Sequence, residues 1–224
     1  MHPIFIVSKR KMVRVLELFS GTGSVGRYLR ENFGWEVISL DICPKSDATH
    51  VCDILLWDEL QYTPGHFDFC WASPPCTMFS IARTTASTPR DIDGATRIVQ
   101  RTRDIIANLQ IPWFVIENPQ SGLLKVQPVV SDLPFFDTDY CAHGQPFRKR
   151  TRLWSNLPLQ GLPLCPGPGL CHAMVGRQHQ QTAQRGPGKA LLAQGIRDRC
   201  PLTLLHTIPG PLVEMIAHSL MQVT

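Results

Sequence analysis

Apolar residues fall along this chain in short runs that alternate with stretches of helical period. Val13 to Leu18 is a β-rich run ending at a glycine turn, which predicts a strand and then a helix over about 24–32. Val37 to Leu40 reads as a second strand with Asp41 at its end. His50 to Ile54 reads as a weaker third, with Asp53 near its end, and Phe67 to Ala72 as a fourth. Residues 73–89 have no apolar period and are rich in Ser, Thr and Pro, which predicts a long loop; loops of that length inside a domain are usually functional. Ile92, Ala95, Val99, Ile106 and Leu109 then keep helical spacing, with Arg97, Arg101 and Arg103 between them, so an amphipathic helix is expected. Trp113 to Glu117 reads as a fifth strand. Strands alternating with helices imply an α/β fold with a doubly wound, mostly parallel sheet.

Past Trp154 the pattern changes. Residues 157–189 are dense in Pro and Gly, which predicts an irregular insert, and Leu212, Met215, Ile216 and Leu220 predict a closing helix over 208–220. The expected organisation is one main domain, 1–156 with 208–224, carrying a small insert at 157–207. No internal repeat interrupts this reading.

Composition adds bounds. At 224 residues the chain is long enough to bury a core unaided, and its net charge of +4 permits a polyanionic partner without requiring one. No run has the length of a membrane-spanning helix, so no membrane partner is expected. Ile4 to Val7 is too short for a secretory signal and leads into Lys9-Arg10-Lys11, which reads as a solvated tail or a localisation signal. An intracellular protein with reduced thiols is therefore expected, leaving catalytic or metal roles open for some of the eight cysteines.

The most specific chemistry lies in Ser73-Pro74-Pro75-Cys76-Thr77-Met78-Phe79-Ser80. Two prolines lock φ and hold Cys76 rigidly just past a strand end, where open α/β sheets bind ligands. A nucleophile needs such placement and a core cysteine does not. Upstream, Gly21-Thr22-Gly23-Ser24-Val25-Gly26 opens a predicted helix after a strand, with Asp41 about twenty residues on. The motif suits a nicotinamide dinucleotide or S-adenosylmethionine, and a packing turn would look similar. Glu17 beside the turn favours a ligand with a cationic end. In Ile116-Glu117-Asn118-Pro119 a carboxylate stands at a strand end, either facing a ligand or lying on the surface. Arg148, Arg150 and Arg152 alternate along a predicted strand, which fits phosphate or base contact as well as a solvated sheet edge. In the insert, Cys165, Cys171 and His179, with Cys141, His143, His172 or Cys200 as a fourth, have the ligand chemistry for zinc. The Cys-x5-Cys spacing is wider than in zinc fingers, and incidental reduced cysteines are the other reading.

Leu16-Glu17-Leu18-Phe19-Ser20-Gly21-Thr22-Gly23, the Cys76 loop, Glu117-Asn118-Pro119 and the arginine run, in this order, resemble the motifs of the DNA cytosine-5 methyltransferase family. The resemblance covers about residues 13–156 and, more weakly, the closing helix. Three departures stand out. Pro119 takes the place of the usual Val, Phe147 inserts one residue so that Arg148 falls where the family has Gln, and the large target-recognition region is missing. The resemblance implies a Rossmann-like, S-adenosylmethionine-dependent methyltransferase of class I. Cys76 would add to cytosine C6, Glu117 would hold N3 and the amino group, and Arg150 or Arg152 would contact O2. The cofactor would meet Glu17, Phe19, Ser20, Gly21, Thr22, Gly23, Asp41, Ile42, Asp53, Ile54 and Pro74. Ser80, Arg83, Arg90 and Arg148 would contact nucleic acid. DNA is the expected substrate, with RNA the alternative offered by a related branch, and the short insert leaves room for a targeting partner. A nicotinamide oxidoreductase would leave the Cys76 loop and the arginines without a role. A catalytically silent nucleic-acid-binding relative would leave Cys76 and Glu117 without one.

Overall fold

β1 (Arg14–Leu18) is buried along nearly its whole length, as a strand covered on both faces must be. The computed structural model describes residues 12–83, 86–183, 192–195 and 201–224. In it β1 stands near the middle of a seven-stranded sheet with β2 (Glu36–Asp41), β3 (His50–Val51), β4 (Phe69–Ala72), β5 (Trp113–Pro119), β6 (Phe135–Asp139) and β7 (Arg150–Ser155). The order is β3-β2-β1-β4-β5-β7-β6. The first five strands are parallel, and β7 is antiparallel to both β5 and β6.

α1 (Ser24–Phe33) and α4 (Gly210–Val223) cover one face, where Val25 and Leu29 meet Leu212, Val213 and Ile216 over Val15 and Val37. α2 (Ile92–Asn108) covers the other with Val99, Ile105 and Ile106 on Leu16, Leu18 and Leu40. α2 starts where the Asp91 side chain accepts from the Gly94 amide at 2.7 Å, and α1 stops at Gly34 in the left-handed region. A Cβ at Gly210 would lie 2.6 Å from the Tyr28 ring, so glycine is what lets α4 approach α1. The Ile208 amide also donates to Ser24 Oγ at 3.0 Å, joining the start of α4 to the start of α1.

The predicted strands and the long α2 helix are present. The third strand is shorter than its apolar run, because the Asp53 carboxylate accepts from the Leu55 amide at 2.9 Å and turns the chain. The closing helix runs on to Val223. β6, the short helix α3 (Leu202–His206) and the hairpin of β8 (Met174–Val175) and β9 (Gln178–His179) were not expected. The insert is irregular around that hairpin, yet Leu157 and Leu159 are buried in the main core. Lys9-Arg10-Lys11 and Cys200 lie outside the described residues. Among the described residues no helix is long and apolar enough to cross a membrane.

Candidate active site

The sheet order reverses between β1 and β4, and their carboxyl ends open the crevice that such a switch point creates. After β1 the chain passes through positive φ at Phe19 (61°), Gly21 (50°) and Gly23 (66°). Phe19 is the strained one, since a side chain there crowds the backbone. Asp41 at the end of β2 braces this turn by accepting from the Gly21 amide at 2.7 Å and the Cys43 amide at 2.8 Å. Glu17 lies buried beneath it, accepting from the Gly26 amide at 3.1 Å. A Cβ on Gly26 would fall 2.4 Å from that oxygen, which explains the third glycine. Burial pushes the Glu17 carboxyl up to about 7, against the Gly26 amide and Arg30, which pull it down.

Beyond β4, Asn118 donates to the Pro74 carbonyl at 2.8 Å, and the fully buried Phe79 accepts from the Leu123 amide at 2.8 Å. Those two anchors leave Cys76 exposed between them. The walls around it push its thiol up; Lys149 pulls it down and Glu117 adds to the rise. Glu117 is buried at the end of β5, accepts from Tyr140 Oη at 3.2 Å and lies 3.6 Å from Lys149 Nζ, which rests over the Tyr140 ring.

One cavity of about 430 Å³ joins these groups. Of the residues expected to meet a cofactor, Glu17, Phe19, Ser20, Gly21, Asp41, Ile42, Asp53, Ile54 and Pro74 line it; Thr22 and Gly23 face a smaller neighbouring cavity. Cys76 and Glu117 close its other end, and His206 and Ile208 complete the wall.

The arginines are placed elsewhere. Arg150 makes a two-pronged pair with Asp139 (3.2 and 2.8 Å), joined by Arg148 at 3.0 Å, and Arg152 does the same with Asp137 (2.7 and 2.9 Å) while stacking on Phe135. From this stretch Lys149 is what reaches the cavity. Arg83 bonds the carbonyls of Thr88 and Pro89, Arg90 those of Met78 and Ser80, and the Ser80 hydroxyl accepts from the Ala82 amide. These three organise the loop and do not line the cavity. The missed participants are Lys149, Tyr140 and Asn118. Strand alternation could have flagged Lys149, but Tyr140 meets Glu117 only through the register of β6 and β7. Cys141, Cys165, Cys171 and His179 converge at the far side of β6, while His143 bonds Thr138 and His172 is exposed.

No protein-family model matches the sequence. The probable DNA (cytosine-5)-methyltransferase of Frog virus 3 (isolate Goorha) is 34% identical over an alignment of 174 residues, with 72% of this chain and 79% of that protein covered. Among solved structures, the Entamoeba histolytica methyltransferase EhMeth superposes with a TM-score of 0.52 at 20% identity, over 69% of this chain and 57% of that one. The S. pombe Dnmt2 methyltransferase gives 0.46 at 17% identity over 68% and 52%. The chain thus spans about half the length of these solved structures.

Proposed function

The chain belongs to the DNA (cytosine-5)-methyltransferase family, and from that premise we propose that it methylates cytosine C5 in DNA, using S-adenosylmethionine and a covalent adduct of Cys76. The observation that carries this reading is a single cavity with an exposed, rigidly placed Cys76 beside Glu117 at one end and Asp41 and Asp53 at the other.

The cavity's donor set fits the cofactor. Asp41 and Asp53 offer carboxylates for hydroxyl and amino groups, the exposed Ile42 offers an apolar face, and Asn118 Oδ1 is buried in the lining without a partner. Phe19, Asp41, Ile42 and Asp53 would hold S-adenosylmethionine, which when bound supplies an electrophilic methyl group on a sulfonium centre.

Cytosine C5 is a poor nucleophile until C6 carries an electron-donating adduct. The Cys76 thiol loses its proton to solvent, the charge of the Lys149 ammonium favouring the thiolate, and the thiolate adds to C6. Glu117, oriented by Tyr140, gives a proton to N3 and accepts from the exocyclic amino group. The electron pair displaced from the C5–C6 double bond is thereby held as an enamine with C5 as its nucleophilic carbon, and Glu117 takes the N3 proton back when the aromatic ring re-forms. Once C5 has taken the methyl group, it loses its proton to a base, the C6–S bond breaks and the thiolate returns. Lys149 lines the cavity beside Glu117, and Arg150 and Arg152 serve as braces between β6 and β7. On duplex DNA the base must leave the stack, because C6 is otherwise out of reach.

The test is trapping on an oligonucleotide containing 5-fluorocytosine, whose C5 has no proton to lose. With S-adenosylmethionine present, a denaturation-resistant complex is expected on DNA and is lost completely in Cys76→Ala. A complex on RNA alone would move the substrate to RNA; no complex on either polymer would overturn the proposal.

A further inference from the structure

We propose that Cys141, Cys165, Cys171 and His179 bind one structural zinc ion, which fastens the insert to the β6–β7 edge of the sheet. The four ligand atoms lie within 4.8 Å of one another although their residues come from three separate pieces of chain. Cys141 sits in the turn after β6, Cys165 and Cys171 flank a loop through Gly167 and Gly169 at positive φ, and His179 comes from β9. Tetrahedral zinc, with bonds of about 2.3 Å to sulfur and about 2.0 Å to nitrogen, places sulfur and nitrogen about 3.5 Å apart. His179 Nε2 stands 3.5 Å from Cys165 Sγ and 3.7 Å from Cys171 Sγ.

Ordinary burial does not account for this grouping. Among the described residues the buried ones here are Cys141, Cys171 and Ala173, with Cys165 and Met174 packed against them, and none of these supplies an aliphatic core to the segment. A small irregular piece of this kind needs a cross-link. The surroundings are those of a built site: the Cys165 amide donates to Asp139 Oδ2 at 2.9 Å, and Asp139 is itself fixed by Arg148 and Arg150. Four protein ligands leave no open position, which assigns a structural rather than a catalytic role. The site also reaches the cavity indirectly. The Gln181 amide donates to the Pro146 carbonyl at 3.1 Å, tying the segment to the stretch that ends at Lys149.

The whole chain, purified under reducing conditions without chelator, should carry one equivalent of zinc by elemental analysis. Cobalt(II) added to the zinc-stripped protein should give the intense visible bands of a tetrahedral thiolate site. Cys171→Ser and His179→Ala should lose the metal, while Cys43→Ser and Cys52→Ser keep it. The cobalt spectrum of the unaltered chain does not depend on how the variants fold. Wild-type protein that takes up neither metal overturns the proposal, as does a disulfide among the three cysteines or full zinc retention in Cys171→Ser.

Discussion

Lys149, just ahead of β7, and Arg150, its first residue, are neighbours, yet their charges go to different carboxylates. Lys149 faces Glu117 and Cys76, and Arg150 faces Asp139. Cys76 and Glu117 were legible because each stands in a motif at a strand end, where the backbone alone fixes which way the chain turns. The partners of the arginines were not legible, since they sit on β6, whose pairing with β7 no local pattern announces. Removing the ammonium should hurt the thiolate. Lys149→Ala is expected to slow alkylation of Cys76 at neutral pH and move its pH profile upward, with Lys149→Arg restoring most of the rate. An unchanged profile would remove Lys149 from the mechanism.

At the scale of elements, α2 shows how an amphipathic pattern conceals an inward charge. Arg101 reads as part of the solvated face, but its guanidinium bonds Glu59 and the carbonyls of Ile54 and Trp57. Glu59 is buried and also accepts from Asn108, and these partners, Arg101 foremost, lower its carboxyl to about 2. The pair therefore ties α2 to the turn that presents Asp53 to the cavity. Its stabilisation is present above the ordinary carboxylate range and is lost as pH falls toward 2. Arg101→Ala leaves a buried, unpaired carboxylate and two carbonyls without that donor, for which a loss of about 3–5 kcal/mol is expected in urea unfolding. A loss below about 1 kcal/mol would mean that the pair is solvated like a surface ion pair.

Over the whole molecule, the parallel half of the sheet was legible from apolar runs and glycine punctuation. The antiparallel half was not, because β6 is short, sits at the edge, and owes its place to pairing with β7. One buried group sets a global pH dependence. Glu17 has a folded-state value of about 7 against 4.5 ordinarily, with Arg30, Arg27 and Asp41 nearby. The folded protein thus holds its proton more tightly than the unfolded chain does. This contribution is full below about 4.5 and is lost as pH rises through 7, roughly 3 kcal/mol in all. Urea unfolding across that window should show the wild type losing stability relative to Glu17→Gln; parallel curves would refute the burial argument.

The wall supplied by His206 and Ile208, and the bond from the Ile208 amide to Ser24, give the site a timetable. The glycine turn, Asp41, Cys76 and Glu117 all lie at or before position 117 of the sequence. The helix that packs on α1 reaches Leu220 only about a hundred residues later. On the ribosome, then, a chain can carry every reactive group and still have no finished cavity until α4 has emerged and docked.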